Sequence, residues 1–530
     1  MKRLLFLSLV VAAPVVAAPV VAAPVVAAPV VAARAGTAPT RRVTAPLNPV
    51  LPGDFPDPSI TRVGGTYYAS ATTSAWAPVF PILRSKDLQH WEAITAIFET
   101  APSWSSGDFW APELYVAPGE GTRTLVYYAA HKKDGPMCVA VADAPSPEGP
   151  YKDHGPIVCA QKGVVFGAID AFAISDQGKR YLAWKADGNS VKQPTPILYQ
   201  ELTADGLALE GQAHEMFRND AKWERELVEG PALFRHGDWL YVFYSGNDCC
   251  GRDCNYALGV ARAKSIAGPW EKSPKNPILG PNARWKCPGH GTVISAADGR
   301  TLMLYHAFDP VAFVDVGRQG LIDQVTFGAD GWPIIAGGTG PSGIPGSTAH
   351  PLRDDFSGKA LSPLWQWPFA NAPIRTLGKA ALTIAPGPTP GGGRLAAVVG
   401  RSVPTGDYVA TVKLDAGSAT SAGLAVVGTP SAALGVSVES GKVVVWRRDK
   451  GMETVVASAP MASRSATLRV TASGGHSYRF AYSADGRSFH DVGASVDGID
   501  VPPWDLGVRV ALVASGGNER FSAFSLVPTR

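Results

Sequence analysis

Phe55-Pro56-Asp57-Pro58-Ser59-Ile60 runs through a Gly64-Gly65 turn into Thr66-Tyr67-Tyr68-Ala69-Ser70. A carboxylate before a proline heads a short strand, glycines turn the chain, and an aromatic strand returns, so the stretch reads as a hairpin. Alone, Asp-Pro initiates turns and says little. Here the aromatic returning strand recurs at Thr124-Leu-Val-Tyr-Tyr128, Arg180-Tyr-Leu-Ala-Trp184, Trp239-Leu-Tyr-Val-Phe-Tyr244 and Thr301-Leu-Met-Leu-Tyr305, about every 58 residues. A period of that order with several strands per unit is the pattern of a β-propeller blade. Five such units between Asn48 and Pro333 predict an all-β, five-bladed propeller over 47–335.

The heads of the units are Asp57-Pro58, Trp110-Ala111-Pro112-Glu113, Ile169-Asp170-Ala171, Glu229-Gly230-Pro231 and Gly289-His290-Gly291. Innermost strands of a propeller surround one axis, so equivalent positions converge. The expectation is a pocket holding Asp57, Asp170, Glu229 and His290. Carboxylates crowded together repel and titrate jointly, a cost a fold rarely carries without use. Two carboxyls across a glycosidic bond suffice for hydrolysis: one protonates the leaving oxygen and the other activates water or attacks the sugar. A third raises the donor's pKa by like-charge proximity. Aromatics pack on sugar faces, and Trp76, Phe109 and Trp110 are candidates; a propeller-core role competes evenly for Trp110 and is favoured for Trp76. Asp54 reads as loop and Glu226 as surface.

The rest of the composition narrows the class. A length of 530 residues exceeds one compact core, and 46% hydrophobic against 18% charged residues is globular. Abundant glycine (57) and proline (45) suit short strands and turns. A net charge of +3 without basic clusters argues against nucleic acid. Met1-Lys2-Arg3 precedes an apolar Leu4-Leu5-Phe6-Leu7 and Val-Val-Ala-Ala-Pro repeats from Val10 to Pro29, with regular prolines that oppose a membrane helix. Residues 1–35 are expected to be a secretory signal and 36–46 a linker, giving a secreted or periplasmic protein with no membrane attachment after cleavage. Six cysteines then favour disulfides. A hairpin through Ser146–Pro150 pairs Cys138 with Cys159; Cys249, Cys250, Cys254 and Cys287 leave three pairings. A metal site from Cys249, Cys250 and Cys254 with His290 is the competing reading, disfavoured because vicinal cysteines chelate one ion awkwardly.

Asn48-Pro-Val-Leu-Pro-Gly-Asp-Phe-Pro-Asp57-Pro-Ser-Ile, Trp110-Ala-Pro, Ile169-Asp170, Glu229-Gly-Pro and Gly289-His290-Gly together resemble glycoside hydrolase family 43. The resemblance spans Asn48 to Pro333 and implies a five-bladed propeller of inverting enzymes, mostly α-L-arabinofuranosidases, β-xylosidases and arabinanases. Matched by position, it implies Asp57 as general base, Glu229 as general acid and Asp170 as the carboxylate that tunes and orients the acid. It further implies that Arg318, in Gly317-Arg318-Gln319, contacts sugar hydroxyls, and that no cofactor is required. His290 resembles an axial histidine that in some members helps hold calcium or water in the channel. The Cys249-Cys250 loop departs from the commonest pattern, where substrate-specific loops occur.

Gly337–Gly346 is a linker by composition, taken as 336–351. Beyond it, Tyr408-Val-Ala-Thr-Val-Lys413, Val443-Val-Val-Trp446 and Gly507-Val-Arg-Val-Ala-Leu-Val513 are short alternating strands that predict a β-sandwich over 352–530. This part resembles the concanavalin-like C-terminal domain of some family members. The function expected is a monomeric hydrolase of arabinose- or xylose-containing plant polysaccharide or oligosaccharide. Alternatives are endo-arabinanase or galactan-active enzymes, a retaining fructan enzyme, or a non-catalytic carbohydrate-binding propeller. The fructan reading lacks its Asn-Asp-Pro-x-Gly and Arg-Asp-Pro motifs; the binding reading would tolerate loss of a carboxylate, and all three are present.

Overall fold

The computed structural model describes residues 47–160, 167–417 and 421–529; the expected signal and linker of 1–46 lie outside them. Each repeat unit forms a four-stranded antiparallel sheet, and there are five among the described residues. The inner strands are Ser59–Val63, Ser105–Val116, Ala168–Asp176, Val228–His236 and Lys286–Ser295. Each touches the next and the fifth touches the first, which closes the ring. The aromatic repeats are the second strands. Trp239–Gly246 is buried along nearly its whole length because neighbouring blades cover both faces, whereas the outer strand Lys152–Val158 alternates toward solvent. The ring is also stitched from the front: Leu51 exchanges backbone hydrogen bonds with Gly320 of blade five at 3.1 and 3.0 Å.

One irregularity recurs in four of the inner strands and just before the first. Asp57, Ala111, Asp170, Gly230 and His290 share a left-handed backbone, with φ between 42° and 59°. In blades two to five the ladder skips just there, between Trp110 and Glu113, Ile169 and Phe172, Glu229 and Ala232, and Gly289 and Thr292. Two residues oppose one, which is a β-bulge that re-aims the side chains beside it. Asp tolerates this backbone better than most residues because its short polar chain bonds locally. At Gly230 glycine is required twice over, since a Cβ would also stand 3.0 Å from the His290 ring.

The bulge corrects the predicted equivalence of the heads. The position of Asp57 is held by Ala111 in blade two and Gly230 in blade four. Glu229 therefore lies one residue earlier, level with Trp110 and Ile169. Glu113 sits farther along the axial channel beside Thr292, where burial pushes its carboxyl well above the usual range.

Residues 352–528 form the second domain, with a nine-stranded and a six-stranded sheet. Tyr408–Asp415 and Ser465–Ser473 alternate buried and exposed, as strands with one dry face do. Ser421–Thr429 of the six-stranded sheet is buried on both faces, because its outer face packs on the propeller. The residue at the centre of that contact is Trp76, 3% exposed among Leu395, Val398, Ala425 and Val513. Trp76–Ala77 even pairs as a strand with Trp367–Pro368. The linker is itself pinned: Gly343 passes so close to Asn48 that a Cβ would stand 2.4 Å from its carbonyl oxygen. No helix among the described residues is long and apolar enough to cross a membrane.

Cys138 pairs with Cys159 as expected, Cys249 with Cys250, and Cys254 with Cys287. That removes the cysteine metal site, since every proposed sulfur ligand is oxidised.

Candidate active site

A cavity of about 270 Å3 opens over the axis, lined by Asp57, Asp170, Glu229, His290, Arg318 and Trp110 among others. The bulges gather them: Asp57, Asp170 and His290 occupy the left-handed positions, and Trp110 and Glu229 directly precede them. Two expected aromatics are absent from it. Trp76 plugs the domain interface, and Phe109 is fully buried against Phe80 and Phe369. Glu226 is exposed.

Asp57 is an anchored carboxylate. Arg318 donates from Nη1 to Oδ1 at 2.8 Å, and the Thr72 hydroxyl donates to Oδ2 at 2.7 Å. His290 Nδ1 stands 3.4 Å from Oδ1. Burial alone would push this carboxyl up, but Arg318 foremost, then His290 and the Thr72 hydroxyl, outweigh it and hold it at about 2. The backbone N–H of Asp57 donates to Nδ1 of His306 at 3.1 Å. Burial, then Arg318, push that imidazole well below its usual value, so it is neutral with its proton on Nε2.

Glu229 is held from both sides. Lys185 Nζ donates to Oε2 at 2.6 Å, and the Tyr256 hydroxyl to Oε1 at 2.8 Å. Lys185 is almost wholly buried and also pairs with Asp187 at 3.1 Å. Burial would lower its pKa, but Glu229, Asp187 and Asp170 together raise it, so it stays an ammonium. Asp170 accepts the N–H of Gly230 at 3.0 Å. Burial first, opposed by His290 and reinforced by Glu229, pushes its carboxyl up to about 6. The crowding cost expected of the carboxylates falls on Asp170.

The second domain reaches into the cavity with Trp504 and Asp505. Trp504 is 60% exposed and meets Trp110 edge to face at 6.1 Å, while Trp110 donates its Nε1–H to Ser74 at 2.8 Å. Arg318 donates from Nη2 to the Asp505 carbonyl at 2.9 Å, and Ser74 donates to the Asp505 carboxylate.

Sequence reasoning passed over Lys185, Tyr256, His306, Thr72, Trp504 and Asp505. One signal was available: Lys185 follows the apolar run Leu182-Ala-Trp184 on an aromatic repeat strand, where a buried lysine needs an anion.

No group of three or more His, Cys, Asp or Glu among the described residues is arranged to hold a metal. Around His290 the available carboxylate, Asp57, is already engaged by a guanidinium.

The fold is a five-bladed propeller followed by a β-sandwich, with three carboxyls gathered in one axial cavity. Residues 46–333 match the model of glycosyl hydrolases family 43, and 353–522 match the β-xylosidase C-terminal concanavalin A-like domain. The chain belongs to glycosyl hydrolase family 43. It is 29% identical over 320 residues to xylosidase/arabinosidase 43B of Humicola insolens, covering 56% of each chain. It is 29% identical over 353 residues to a xylan 1,3-β-xylosidase of a Vibrio species, covering 59% of this chain and 63% of the relative. The matched region thus spans less than two thirds of these relatives' length. Among solved structures, the family 43 protein BlXynB from Bacillus licheniformis superposes with a TM-score of 0.77 at 23% identity, over 91% of this chain and 99% of the other. At that identity the likeness speaks for the fold.

Proposed function

We propose that this protein is an exported, inverting glycoside hydrolase that removes arabinose or xylose units from plant cell-wall polysaccharide or oligosaccharide. The observation that carries the reading is that three carboxyls, Asp57, Asp170 and Glu229, line one cavity over the propeller axis. Asp57 is held ionised by Arg318, and Glu229 faces two fixed donors, Lys185 and Tyr256. Asp57 takes a proton from the water that attacks the anomeric carbon. Glu229 gives its proton to the departing oxygen, and the carboxylate left behind is met by Lys185 and Tyr256 without rearrangement. Asp170, raised by burial, orients the acid through the Gly230 backbone and adds negative potential as positive charge builds on the sugar. His290 and Arg318 bind hydroxyls of the same ring, and Trp110 and Trp504 pack on its apolar face.

A cavity of about 270 Å3, lined in part by Trp504, lies at the low end of ligand sites of roughly 300–1,000 Å3. It suits a terminal sugar and its neighbour better than a passing chain, which favours exo action. The relatives named xylosidase or arabinosidase support the choice of sugars. Three disulfides suit an oxidising, extracytoplasmic setting. We take the chain to act as a monomer without a cofactor. The test sets aryl α-L-arabinofuranoside, aryl β-D-xyloside, aryl β-D-galactoside and linear arabinan side by side, with NMR of the first-formed anomer. Turnover of either pentoside with inversion is expected; retention, or turnover of galactoside alone, overturns the reading.

A further inference from the structure

The Cys249–Cys250 disulfide joins adjacent residues, and both half-cystines line the catalytic cavity. Their position relative to Glu229 follows from register. Glu229 pairs with Ser245 and Val228 with Gly246, so the chain leaving Gly246 climbs directly beside the proposed acid before reaching Cys249. Cys249 packs from behind on the cluster of Leu227, Tyr256 and Phe308, and Tyr256 is the residue that holds Glu229. The loop is tied down by Cys254–Cys287 and by Arg252, which donates to the Ile499 carbonyl of the second domain at 2.6 Å.

A disulfide between neighbours is an apolar, donor-free surface with no rotamers to lose when a ligand lands on it, so its contact carries little ordering cost. Beside the two sulfurs the cavity lining near Glu229 mixes apolar Leu227 and Ile169 with polar Lys185, Asp187 and Asn189. The acid protonates the leaving oxygen, so the wall beside it faces the departing group, and the attacking water lies across the ring with Asp57.

We propose that the Cys249–Cys250 disulfide is the apolar wall of the subsite that receives the leaving sugar, and that it selects for a pyranose or furanose there. The proposal rests on Glu229 being the acid. The leaving sugar lays its C–H face on the two sulfurs while its hydroxyls turn to Asn189 and solvent.

The test compares wild type with Cys249→Ser/Cys250→Ser and Cys249→Ala/Cys250→Ala on two substrates sharing one glycosyl unit: the disaccharide, and the glycosyl fluoride, whose leaving group is too small to reach the wall. Loss of one apolar contact in a pocket corresponds to about ten- to hundredfold. The kcat/KM for disaccharide is expected to fall by about tenfold through KM, with the fluoride unchanged within about twofold. Should the serine pair fail to fold, judged by its melting curve, the alanine pair carries the same comparison. Equal losses on both substrates, or no loss on the disaccharide, overturn the wall. A wild type that cleaves neither substrate overturns the glycosidase reading itself, a separate result.

Discussion

Arg509 of the second domain sets its Nη1 3.0 Å from Oδ2 of Asp54 in the propeller, with both side chains essentially dry. The other Asp54 oxygen accepts the backbone N–H of Arg318 at 3.3 Å, and Arg318 holds Asp57. The sandwich thus reaches the proposed base through two links. Asp54→Ala would strand a buried guanidinium, and breaking such a pair costs about 3–5 kcal/mol. We expect a lowered melting temperature and a kcat/KM reduced by at least about tenfold, since small misplacement of a catalytic group is costly. Arg509→Met, which keeps the packing over Trp76, strands the Asp54 carboxylate and should cost a similar amount, with the double variant costing less than the sum. Strict additivity by calorimetry would deny the coupling.

Asp57 is held at about 2 although burial opposes it, and Arg318 is the largest of the groups that lower it. The sign follows: a depressed carboxylate contributes stability above its unfolded value near 3.8, lost as pH falls through about 2. As the proposed base, Asp57 stays ionised throughout the useful range. In Arg318→Met burial is less opposed, so the acid limb of kcat/KM on an aryl pentoside should move up by one pH unit or more. Coincident limbs for the two proteins would remove Arg318 from this role.

Much of this was legible because propeller blades repeat their chemistry. A glycine turn before an aromatic strand, as at Gly64-Gly65-Thr66, must recur wherever a second strand is buried between blades, so the fold and the places of Asp57 and Asp170 could be read. The offset of Glu229 could not, because a bulge is a backbone event and Gly230-Pro231 resembles Asp57-Pro58 only as a turn. Trp76 misled for the opposite reason: its local sequence shows an aromatic at a blade edge, and only the docked sandwich decides that it is sealed away. Trp504 and Asp505 carry no local mark at all. They reach the cavity through tertiary docking of a segment far beyond the last blade.

Asp170 supplies a test that needs no substrate. Its carboxyl is pushed up to about 6, chiefly by burial and against the pull of His290. Between the unfolded value near 3.8 and about 6 the folded protein holds a proton that the unfolded chain releases, so stability falls as pH rises through that window. Asp170→Asn keeps an oxygen for the Gly230 N–H and removes the titration. Its melting temperature relative to wild type should therefore rise on going from pH 4 to pH 7, by about 2 °C or more. A constant difference across that range would mean that Asp170 ionises as it does in the unfolded chain.

Lys185 and Glu229 meet at 2.6 Å with both side chains largely buried, so the pair can be read through the leaving group. Glu229→Ala removes the proposed proton donor. An aryl pentoside with a strongly acidic phenol needs little protonation and should lose no more than about tenfold, whereas a natural linkage should lose about 10²–10⁴-fold, the usual worth of general acid catalysis. Lys185→Met leaves the acid in place but withdraws the cation that meets its developing carboxylate. It should follow the same order of substrates with a smaller spread, because Tyr256 still donates to the other oxygen. A Brønsted plot of log kcat/KM against phenol pKa measures both at once: steep for Glu229→Ala, intermediate for Lys185→Met and shallow for wild type. Parallel lines would place the proton donor elsewhere in the cavity and make Lys185–Glu229 an ion pair of the scaffold.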